Sequence, residues 1–324
     1  MTARNVVDYL IIGGGVLGLF TAFYLARLGE RIQLLEARCI GAGASGHSGA
    51  LIRSNCATEV ETELAERSLT VFRNWSHVVG GQCRFVPAGV MELVGPTDEM
   101  DLEHRIHQQN AWGADVERLT PAEAARLAPL IRTHDVAAVG FQASAGYCDP
   151  ISALQTLHRA VVAAGVECRV GEPVVGFELE GSRGRAIRTA NDVVQAGAIV
   201  IAAGAQANGL LKELGLDLAL VPHLSRLAVL RPCDAAYPPH FPTVLDAVQD
   251  SWFRPFEGGL LVGASVGGQT GADPEPRQHG VPPGLAQTYG DIAARRFIQT
   301  RFAPCRGIWQ STYMLSPDKL PLVG

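Results

Sequence analysis

The chain has 324 residues, 47% of them hydrophobic and 18% charged, a composition that is typical of folded proteins and argues against disorder. Its net charge of −5 at pH 7 gives no electrostatic reason to expect a nucleic-acid partner. The seven cysteines are scattered without a C-x-x-C pair, which favours reduced thiols in a cytoplasmic protein over a disulfide framework or a zinc site. No apolar run has the length of a membrane-spanning helix, so we expect at most a peripheral contact with a membrane.

The first predicted element is a strand over residues 6–12 that runs into a glycine-rich turn with the spacing Gly13-x-Gly15-x-x-Gly18. The apolar segment VLGLFTAFYLARLG that follows predicts a buried helix, and RIQLLE predicts a second strand ending in Glu36. Strand, turn, helix, strand and acid in this order are typical of a dinucleotide-binding unit. The alternative is a glycine-rich βαβ turn without a ligand.

Each residue type in this turn has a physical role in binding a dinucleotide. Gly13 permits the tight turn, Gly15 lets the backbone approach the pyrophosphate, and Gly18 allows the helix to pack closely on the strand. The pyrophosphate would then accept hydrogen bonds from the N–H groups at the start of the helix. The carboxylate of Glu36 suits ribose hydroxyls and argues against the 2′-phosphate of NADP.

Five segments resemble the D-amino-acid oxidase superfamily of FAD enzymes, in particular its glycine oxidase, sarcosine oxidase and amine dehydrogenase branch. The first follows Glu36 and is small, glycine-rich and polar, where an NAD-binding domain would continue to a third strand. In chain order the segments are ARCIGAGASGHSGALIRS, GYCDPISALQTLHRAVVAAGVECRVGEPVVGFELEG, AGAIVIAAGAQAN, SWFRPFEGGLLVGAS and WQSTYMLSPDKLPLVG.

The resemblance implies an α/β fold with a Rossmann-like FAD-binding domain and a discontinuous substrate domain, an antiparallel sheet with helices. Two domains also suit the length of the chain. We expect the FAD-binding domain to comprise residues 1–80, 146–220 and 316–324, and the substrate domain residues 81–145 and 221–315. The family continues beyond the segment similar to SPDKLPLVG with one more strand and a helix start. Because this sequence ends at Gly324, we expect FAD binding to depend on such an element from an extension or a partner subunit.

Several local patterns predict particular elements. TEVETELAERSLTVFRNWSHV predicts one long helix, and Thr120 to Glu123 (TPAE) predict a capping box. Asp149 and Pro150 predict the cap and first turn of another helix. FVPAGVMELVG predicts a strand, TYGDIAARRFIQT a helix, and ADPEPRQHGVPPG a long loop. His104 and His107 have a spacing that could hold a metal, but the neighbouring acids favour a solvated helix face, and we expect no metal site.

The resemblance implies that FAD is bound non-covalently. The position of covalent flavin attachment in monomeric sarcosine oxidase matches Ser311, while Cys305 lies too far upstream. His47 is expected to contact the flavin through its backbone. The implied FAD-binding residues are Gly13, Gly15, Val16, Leu17, Gly18, Glu36, Ala37, Arg38, Ala44, Ser45, Gly46, His47, Ser48, Gly49, Val174, Ala203 and Gly204.

Four residues are candidates for the substrate site, each with a plain structural alternative. Arg53 matches an arginine that binds the substrate carboxylate in the sarcosine oxidase type, although it could instead pair with an acid of the protein or with FAD phosphates. Tyr313 replaces the carboxylate-binding arginine of glycine oxidase, or is an ordinary tyrosine at a domain boundary. Trp252 could wall the substrate cavity or belong to the core. Arg254 could face the cavity or the solvent.

The implied reaction is FAD-dependent oxidation of a small amine or amino acid such as glycine, sarcosine, proline or a D-amino acid, by hydride transfer to flavin N5. The position of a lysine that promotes the oxygen reaction in monomeric sarcosine oxidase matches Leu261. A dehydrogenase that passes electrons to a quinone or a partner subunit, rather than to oxygen, is therefore favoured. The alternatives are a 2-hydroxy-acid or glycerol-phosphate dehydrogenase, and a catalytically silent FAD-binding subunit of a hetero-oligomer.

Overall fold

Two large β-sheets organise the chain in the computed structural model, which describes residues 6–180, 183–231, 238, 240–275, 280–297 and 305–324. The strands are β1 (Val6–Ile12), β2 (Ile32–Glu36), β3 (Leu51–Ile52), β4 (Val90–Val94), β5 (Glu117–Leu119), β6 (Ala138–Gln142), β7 (Gly146–Tyr147), β8 (Glu167–Val170), β9 (Val174–Glu180), β10 (Arg183–Thr189), β11 (Val193–Ile201), β12 (Val221–Leu230), β13 (Thr243–Asp246), β14 (Ser251–Phe256), β15 (Gly259–Ala264), β16 (Gln269–Thr270) and β17 (Gly307–Leu315). The α-helices are α1 (Val16–Arg27), α2 (Glu59–Arg73), α3 (Trp75–Val78), α4 (Glu99–Ala111), α5 (Pro121–Leu127), α6 (Pro150–Ala163), α7 (Ala207–Glu213) and α8 (Leu285–Arg296).

The first sheet has the strand order β8-β2-β1-β11-β10-β9. Its first four strands are parallel, and the β9–β10 hairpin adds two antiparallel strands. Apolar strands such as β1 are buried on both faces, as parallel strands usually are. Ile11 and Leu34 contribute to the core beneath α1 and α6, while Leu10 and Leu35 contribute to a second cluster on the opposite face.

The second sheet has the strand order β16-β12-β15-β14-β13-β4-β6-β5, and β17 pairs with β12. Its pairs are antiparallel except β4 with β13. One face is covered by α5 and α8, where Phe253, Leu260 and Val262 pack with Tyr289 and Phe297. Helix α4 covers part of the opposite face, where Leu102 and Ile106 pack with Val94 and Ala138, and another part of that face meets the loops of the first sheet.

The α/β fold class is confirmed, with one parallel-rich sheet and one mainly antiparallel sheet. The first sheet uses chain segments 6–36 and 167–201, and the second uses segments 90–142 and 221–315. The exact boundaries of the two domains stay a prediction. Within the described ranges, no helix is both long and apolar enough to cross a bilayer.

The two expected helix starts are confirmed. At α5, the Thr120 hydroxyl and the Glu123 carboxylate form the reciprocal bonds of a capping box. At α6, the Asp149 side chain accepts from the Ser152 N–H at 2.6 Å, with Pro150 in the first turn.

The expectation of one long helix over residues 58–78 is wrong. Asn74 leaves the helical conformation at φ −110° and ψ 26° and divides the segment into α2 and α3. The strand expected from FVPAGVMELVG is confined to β4. The helix expected over residues 288–300 is observed as α8, which ends at Arg296, and residues 298–300 lie outside the described ranges. Residues 276–279 of the expected long loop also lie outside them.

Candidate functional site

The glycine turn after β1 has no room for side chains at two of its three positions. Gly13 has φ +116°, and a Cβ there would collide with the carbonyl of Ala202. A Cβ on Gly18 would collide with the carbonyl of Gly13. A Cβ on Gly15 would meet only the Ser45 hydroxyl, at 3.2 Å, a tight contact that a movement of that side chain could relieve. These are the positions at which a tight turn, close packing and approach of a pyrophosphate require glycine.

The start of α1 offers backbone donors to a ligand. The Val16 N–H donates to the Ser45 hydroxyl at 3.0 Å. For the N–H groups of Leu17 and Gly18, no acceptor is present in the described part of the chain. The unpaired N–H groups and the helix dipole make this end of the helix suitable for an anionic group. The turn and helix therefore fit the pyrophosphate of a dinucleotide.

The carboxylate of Glu36 is held beside the same turn. Its two oxygens accept hydrogen bonds from the N–H groups of Gly14 at 2.7 Å and Arg38 at 2.8 Å. Each carboxylate oxygen retains a further lone pair, so ribose hydroxyls could also donate to it. The N–H groups of Gly171 and Glu172 bond to the backbone carbonyl of Glu36 at 2.9 and 3.0 Å, which brings the start of β9 to this edge.

The carboxyl ends of β1, β2 and β11 meet at the turn, as expected for a ligand site of a parallel sheet. The Ala202 N–H donates to the carbonyl of Ile12 at 2.8 Å, so Ala203 and Gly204 lie next to the glycine turn. Val174 and Ala203 pack against the same core cluster. Ala37 and Arg38 are exposed just beyond β2.

The loop of Ala44–Gly49, which we call the glycine loop, lies against the turn. Its first four residues form a 3-10 helix, and the preceding chain is anchored because the Gly41 N–H donates to the carbonyl of Gly14 at 3.1 Å. The His47 and Ser48 side chains are exposed, and the His47 ring lies 3.0 Å from the carbonyl of Gly43. The structure thus brings all seventeen predicted FAD-binding residues to one edge of the first sheet, while the contact of each with FAD stays a prediction.

One surface of the second sheet faces the glycine loop. Strand pairing places Trp252, Arg254, Leu261 and Tyr313 on this surface, which we call the loop-facing surface. The Trp252 ring occupies the space that a Cβ on Gly49 would need, and β17 contacts the 3-10 helix of the glycine loop. Three of the four substrate-site candidates therefore lie on one surface beside the glycine loop.

Arg254 is buried, with 3% of its surface exposed, which excludes the solvent-facing alternative. Its Nε donates to the carbonyl of Gly49 at 2.7 Å, and one Nη donates to the carbonyl of Pro255 at 3.0 Å. The guanidinium also lies 4.9 Å from the centre of the Tyr147 ring. Burial lowers the pKa of Arg254, and no carboxylate in the described ranges forms an ion pair with it.

Tyr313 lies beside a histidine that sequence reasoning missed. The Tyr313 and His223 rings are 5.1 Å apart, and His223 Nδ1 is 2.9 Å from the Thr270 hydroxyl. Burial raises the pKa of Tyr313, which keeps the phenol neutral and able to donate a hydrogen bond. Only the register of β12 against β17 places His223 opposite Tyr313, so no motif could have revealed it.

Arg53 lines a cleft of about 410 Å³ between β3 and the second sheet, together with Asn55, Glu92, Arg105 and Ser251. One of its Nη atoms donates to the carbonyl of Asn55 at 2.6 Å and to the Asn55 side chain at 3.0 Å. Arg105 is paired with Glu92 at 2.7 Å, whereas Arg53 has no carboxylate partner in the described ranges. The cleft adjoins the loop-facing surface at Leu245, which lines the cleft and pairs with Trp252 across β13 and β14.

The histidines His104 and His107 are exposed on α4. No group of three or more His, Cys, Asp or Glu side chains in the described residues is arranged to hold a metal ion. Ser311 is 8% exposed on β17, and Cys305 lies just before that strand.

Comparison with known proteins identifies the family. A family model described as FAD dependent oxidoreductase matches residues 8–324. The chain belongs to the DAO family of FAD-dependent oxidoreductases. The prediction that it depends on FAD is thereby confirmed, and the glycine turn, the free N–H groups of α1 and Glu36 fit that cofactor.

Individual relatives in this family are distant. Sarcosine oxidase subunit beta of Arthrobacter sp is 25% identical, over 80% of this chain and 65% of the relative. Mitochondrial dimethylglycine dehydrogenase of Rattus norvegicus is 24% identical, over 99% of this chain and 39% of the relative. The crystal structure of L-proline dehydrogenase from P. horikoshii superposes with a TM-score of 0.86 at 21% identity, covering 99% of this chain and 85% of that one. The chain therefore spans less than two thirds of the length of these two curated relatives.

Proposed function

We propose that this FAD-dependent oxidoreductase oxidises a small amine or amino acid that carries a carboxylate. Sarcosine, dimethylglycine and proline, which appear in the names of the relatives, are all amines of this kind. The relatives share only part of their length with this chain, so the residues of the site must support the proposal. The cofactor is proposed to be bound non-covalently by the turn, α1, Glu36 and the glycine loop.

The observation that supports a carboxylated substrate is the uncommitted guanidinium of Arg53. One of its Nη atoms is engaged by Asn55, and Arg53 lines the cleft beside the second sheet. A planar guanidinium can bind a carboxylate through two parallel hydrogen bonds, which fixes both position and orientation. An arginine at the border of the site that forms no ion pair with the residues the structure describes therefore fits a substrate carboxylate.

The side chains of the loop-facing surface would hold the reacting part of the substrate. FAD supplies the hydride acceptor, so the protein itself needs no nucleophile. The Trp252 ring, packed on the fully buried Leu261, provides an apolar wall, and the neutral phenol of Tyr313 can donate a hydrogen bond. Loss of a hydride to the flavin from a carbon bonded to the nitrogen, with the proton of the nitrogen passing to water, would leave an imine, or an iminium ion from a tertiary amine, which water hydrolyses. Orientation of the C–H bond is then the main contribution of the protein.

Electron transfer to a quinone or to a partner subunit, rather than to oxygen, is the second part of the proposal. Leu261 is fully buried among Leu227, Val229 and neighbouring aromatic side chains and provides no charge on the loop-facing surface. The name sarcosine oxidase subunit beta supports a hetero-oligomer for this protein as well. A cytoplasmic location, with or without peripheral membrane contact, is supported by six free thiols in the described ranges.

One observation favours a second candidate, the oxidation of a 2-hydroxy acid or glycerol phosphate. That reaction needs a base for the hydroxyl proton. His223 lies on the loop-facing surface, and its imidazole could serve as that base if substrate reaches the edge beside Tyr313. The amine remains the favoured substrate because its oxidation by the flavin requires no such base.

The substitution Arg53→Lys tests the proposed carboxylate contact. We expect the KM for carboxylated amines to rise roughly tenfold or more, since an ammonium cannot replace a bidentate fork, while the KM for an uncharged amine analogue changes little. Arg105→Lys is the matched control, because Arg105 lines the same cleft but is already paired with Glu92. We expect Arg105→Lys to change the KM of both substrates by the same factor. If Arg53→Lys does the same, Arg53 does not bind the carboxylate.

A further inference from the structure

Arg254 connects two parts of the chain that are 205 residues apart in sequence. Its Nε–H donates to the carbonyl of Gly49, the last residue of the glycine loop, at 2.7 Å. The adjacent strands support the same connection, because the Cys148 N–H donates to the carbonyl of Ala50 at 3.0 Å and β3 pairs with β7. The end of the glycine loop is thus held from the second sheet and from residues 146–148.

The surroundings of Arg254 are unusual for a buried cation. A buried charge is costly unless it is paired and hydrogen-bonded, and here the partners are two backbone carbonyls and the faces of Tyr147 and Phe256. Aromatic faces attract guanidinium groups most strongly when water is excluded. Burial of the Arg254 guanidinium costs desolvation free energy. We infer that the hydrogen bond to Gly49 has a role that offsets this cost.

Trp252 restrains the same residue from the same strand. Its indole ring fills the space that a Cβ on Gly49 would need, and it also lies over Gly263 of β15. The backbone of Gly49 is thus confined by an aromatic ring and fixed by a charge-assisted hydrogen bond, which is stronger than a neutral one. Trp252 and Arg254 lie two residues apart, on one face of β14.

We propose that Arg254 is a positioning residue, whose guanidinium fastens the glycine loop to the second sheet and so sets the loop in the conformation that receives FAD. This inference rests on the proposed role of the glycine loop in FAD binding. It changes the expectation for Arg254, which acts on the loop and not on the substrate. The bond also connects the loop-facing surface to the glycine loop, because Trp252 and Leu261 belong to the same pair of strands as Arg254, β14 and β15.

The test compares Arg254→Met with Arg226→Met. Arg226 is a matched control: it is 4% exposed, it also donates to backbone carbonyls, and it lies on the opposite face of the second sheet. Hydrogen–deuterium exchange of the apoprotein reports on the peptide covering residues 44–52, and titration with FAD reports the Kd. Arg254→Lys is the second variant, in case the methionine variant does not fold.

We expect both Arg254 variants to speed exchange in residues 44–52 several-fold and to raise the Kd for FAD about tenfold or more, as loss of a charge-assisted bond would. Arg226→Met should leave both quantities near their original values, whatever its effect on thermal stability. Unchanged exchange in the loop, or faster exchange with an unchanged Kd, would overturn the positioning role. A failure of the unsubstituted protein to bind FAD would instead overturn the proposed cofactor site, while the exchange data would still show whether Arg254 holds the loop.

Discussion

At the scale of single residues, the carboxylate of Glu36 is already hydrogen-bonded by the protein at the place where it is proposed to bind FAD. It lies at the carboxyl end of β2 and accepts hydrogen bonds from the N–H groups of Gly14, in the glycine turn, and of Arg38, just after β2. These bonds orient the carboxylate before any ligand arrives, which reduces the ordering cost of binding. Sequence spacing was sufficient to predict its place, because 18 residues separate it from Gly18 in one continuous βαβ unit.

Removal of this carboxylate should weaken FAD binding. We expect Glu36→Ala to raise the Kd for FAD by at least about tenfold, since a hydrogen bond to a charged group contributes roughly 1.5–3 kcal/mol. The control is Glu167→Ala, because that carboxylate bonds to Gln33 on the neighbouring strand β2 and to Arg169 on its own strand β8, and not to the turn. Equal Kd values for Glu36→Ala and the unsubstituted protein, measured by quenching of flavin fluorescence, would show that Glu36 does not contact the cofactor.

Other residues of the site were beyond sequence reasoning. Alternation along β14 predicts that Trp252 and Arg254 share a face, but it does not say which face is covered by helices. Arg53 forms no ion pair within the described ranges, whereas Arg105 in the same cleft pairs with Glu92, and neither fact can be read from sequence because the cleft joins distant parts of the chain. Such facts follow only from the assembled sheet.

At the scale of elements, the strand–turn–helix unit is the part that local sequence specifies most completely. Glycine at three positions, a strand before them and an apolar helix after them predict β1, α1 and β2 together. The break between α2 and α3 at Asn74 was not predicted, since Trp75 continues the apolar pattern into a separate short helix that packs on α1 through Phe20.

The close packing of α1 on the glycine turn can be tested by adding one methyl group at Gly18. Gly18→Ala places a Cβ against the carbonyl of Gly13, so the helix must shift, and we expect a lower Tm together with loss of FAD binding. Gly290→Ala is the control, because Gly290 lies inside α8 with open space around it, and alanine there should be neutral or stabilise by roughly 0.5–1 kcal/mol. Normal FAD content in Gly18→Ala would contradict the geometry of the turn.

Strand β15 bears on the choice of electron acceptor. Leu261 provides an apolar, buried side chain opposite Arg254, whose guanidinium is already engaged by Gly49. A nearby free cation would stabilise superoxide, the product of the first electron transfer to oxygen, in a site of low dielectric constant. We therefore expect the reduced protein to react slowly with air-saturated buffer and rapidly with an artificial quinone in stopped-flow measurements. Reoxidation by oxygen as fast as turnover would indicate an oxidase.

At the scale of the whole molecule, the site is formed where the loops of one sheet meet a face of another. The contacts that join them, such as Arg254 with Gly49 and β17 with the glycine loop, connect distant parts of the chain. The family resemblance predicted the two sheets and the chain segments that form them. It did not predict the register of β12 against β17, which places His223 beside Tyr313 and is known only from the structure. The proposed function depends on both sheets, since one carries the residues predicted to bind FAD and the other carries the loop-facing surface proposed to bind the substrate.

The central claim is that the protein, with FAD at the first sheet and substrate at the loop-facing surface, oxidises a carboxylated amine. The most direct measurement is the visible absorbance of the bound flavin when the FAD-loaded protein is mixed anaerobically with a panel of substrates. We predict that carboxylated amines such as sarcosine, proline, glycine or D-alanine bleach the flavin, while lactate and glycerol 3-phosphate leave it oxidised. Bleaching by the hydroxyl compounds alone would assign the second candidate, and a flavin that no carboxylated amine reduces would contradict the proposed function.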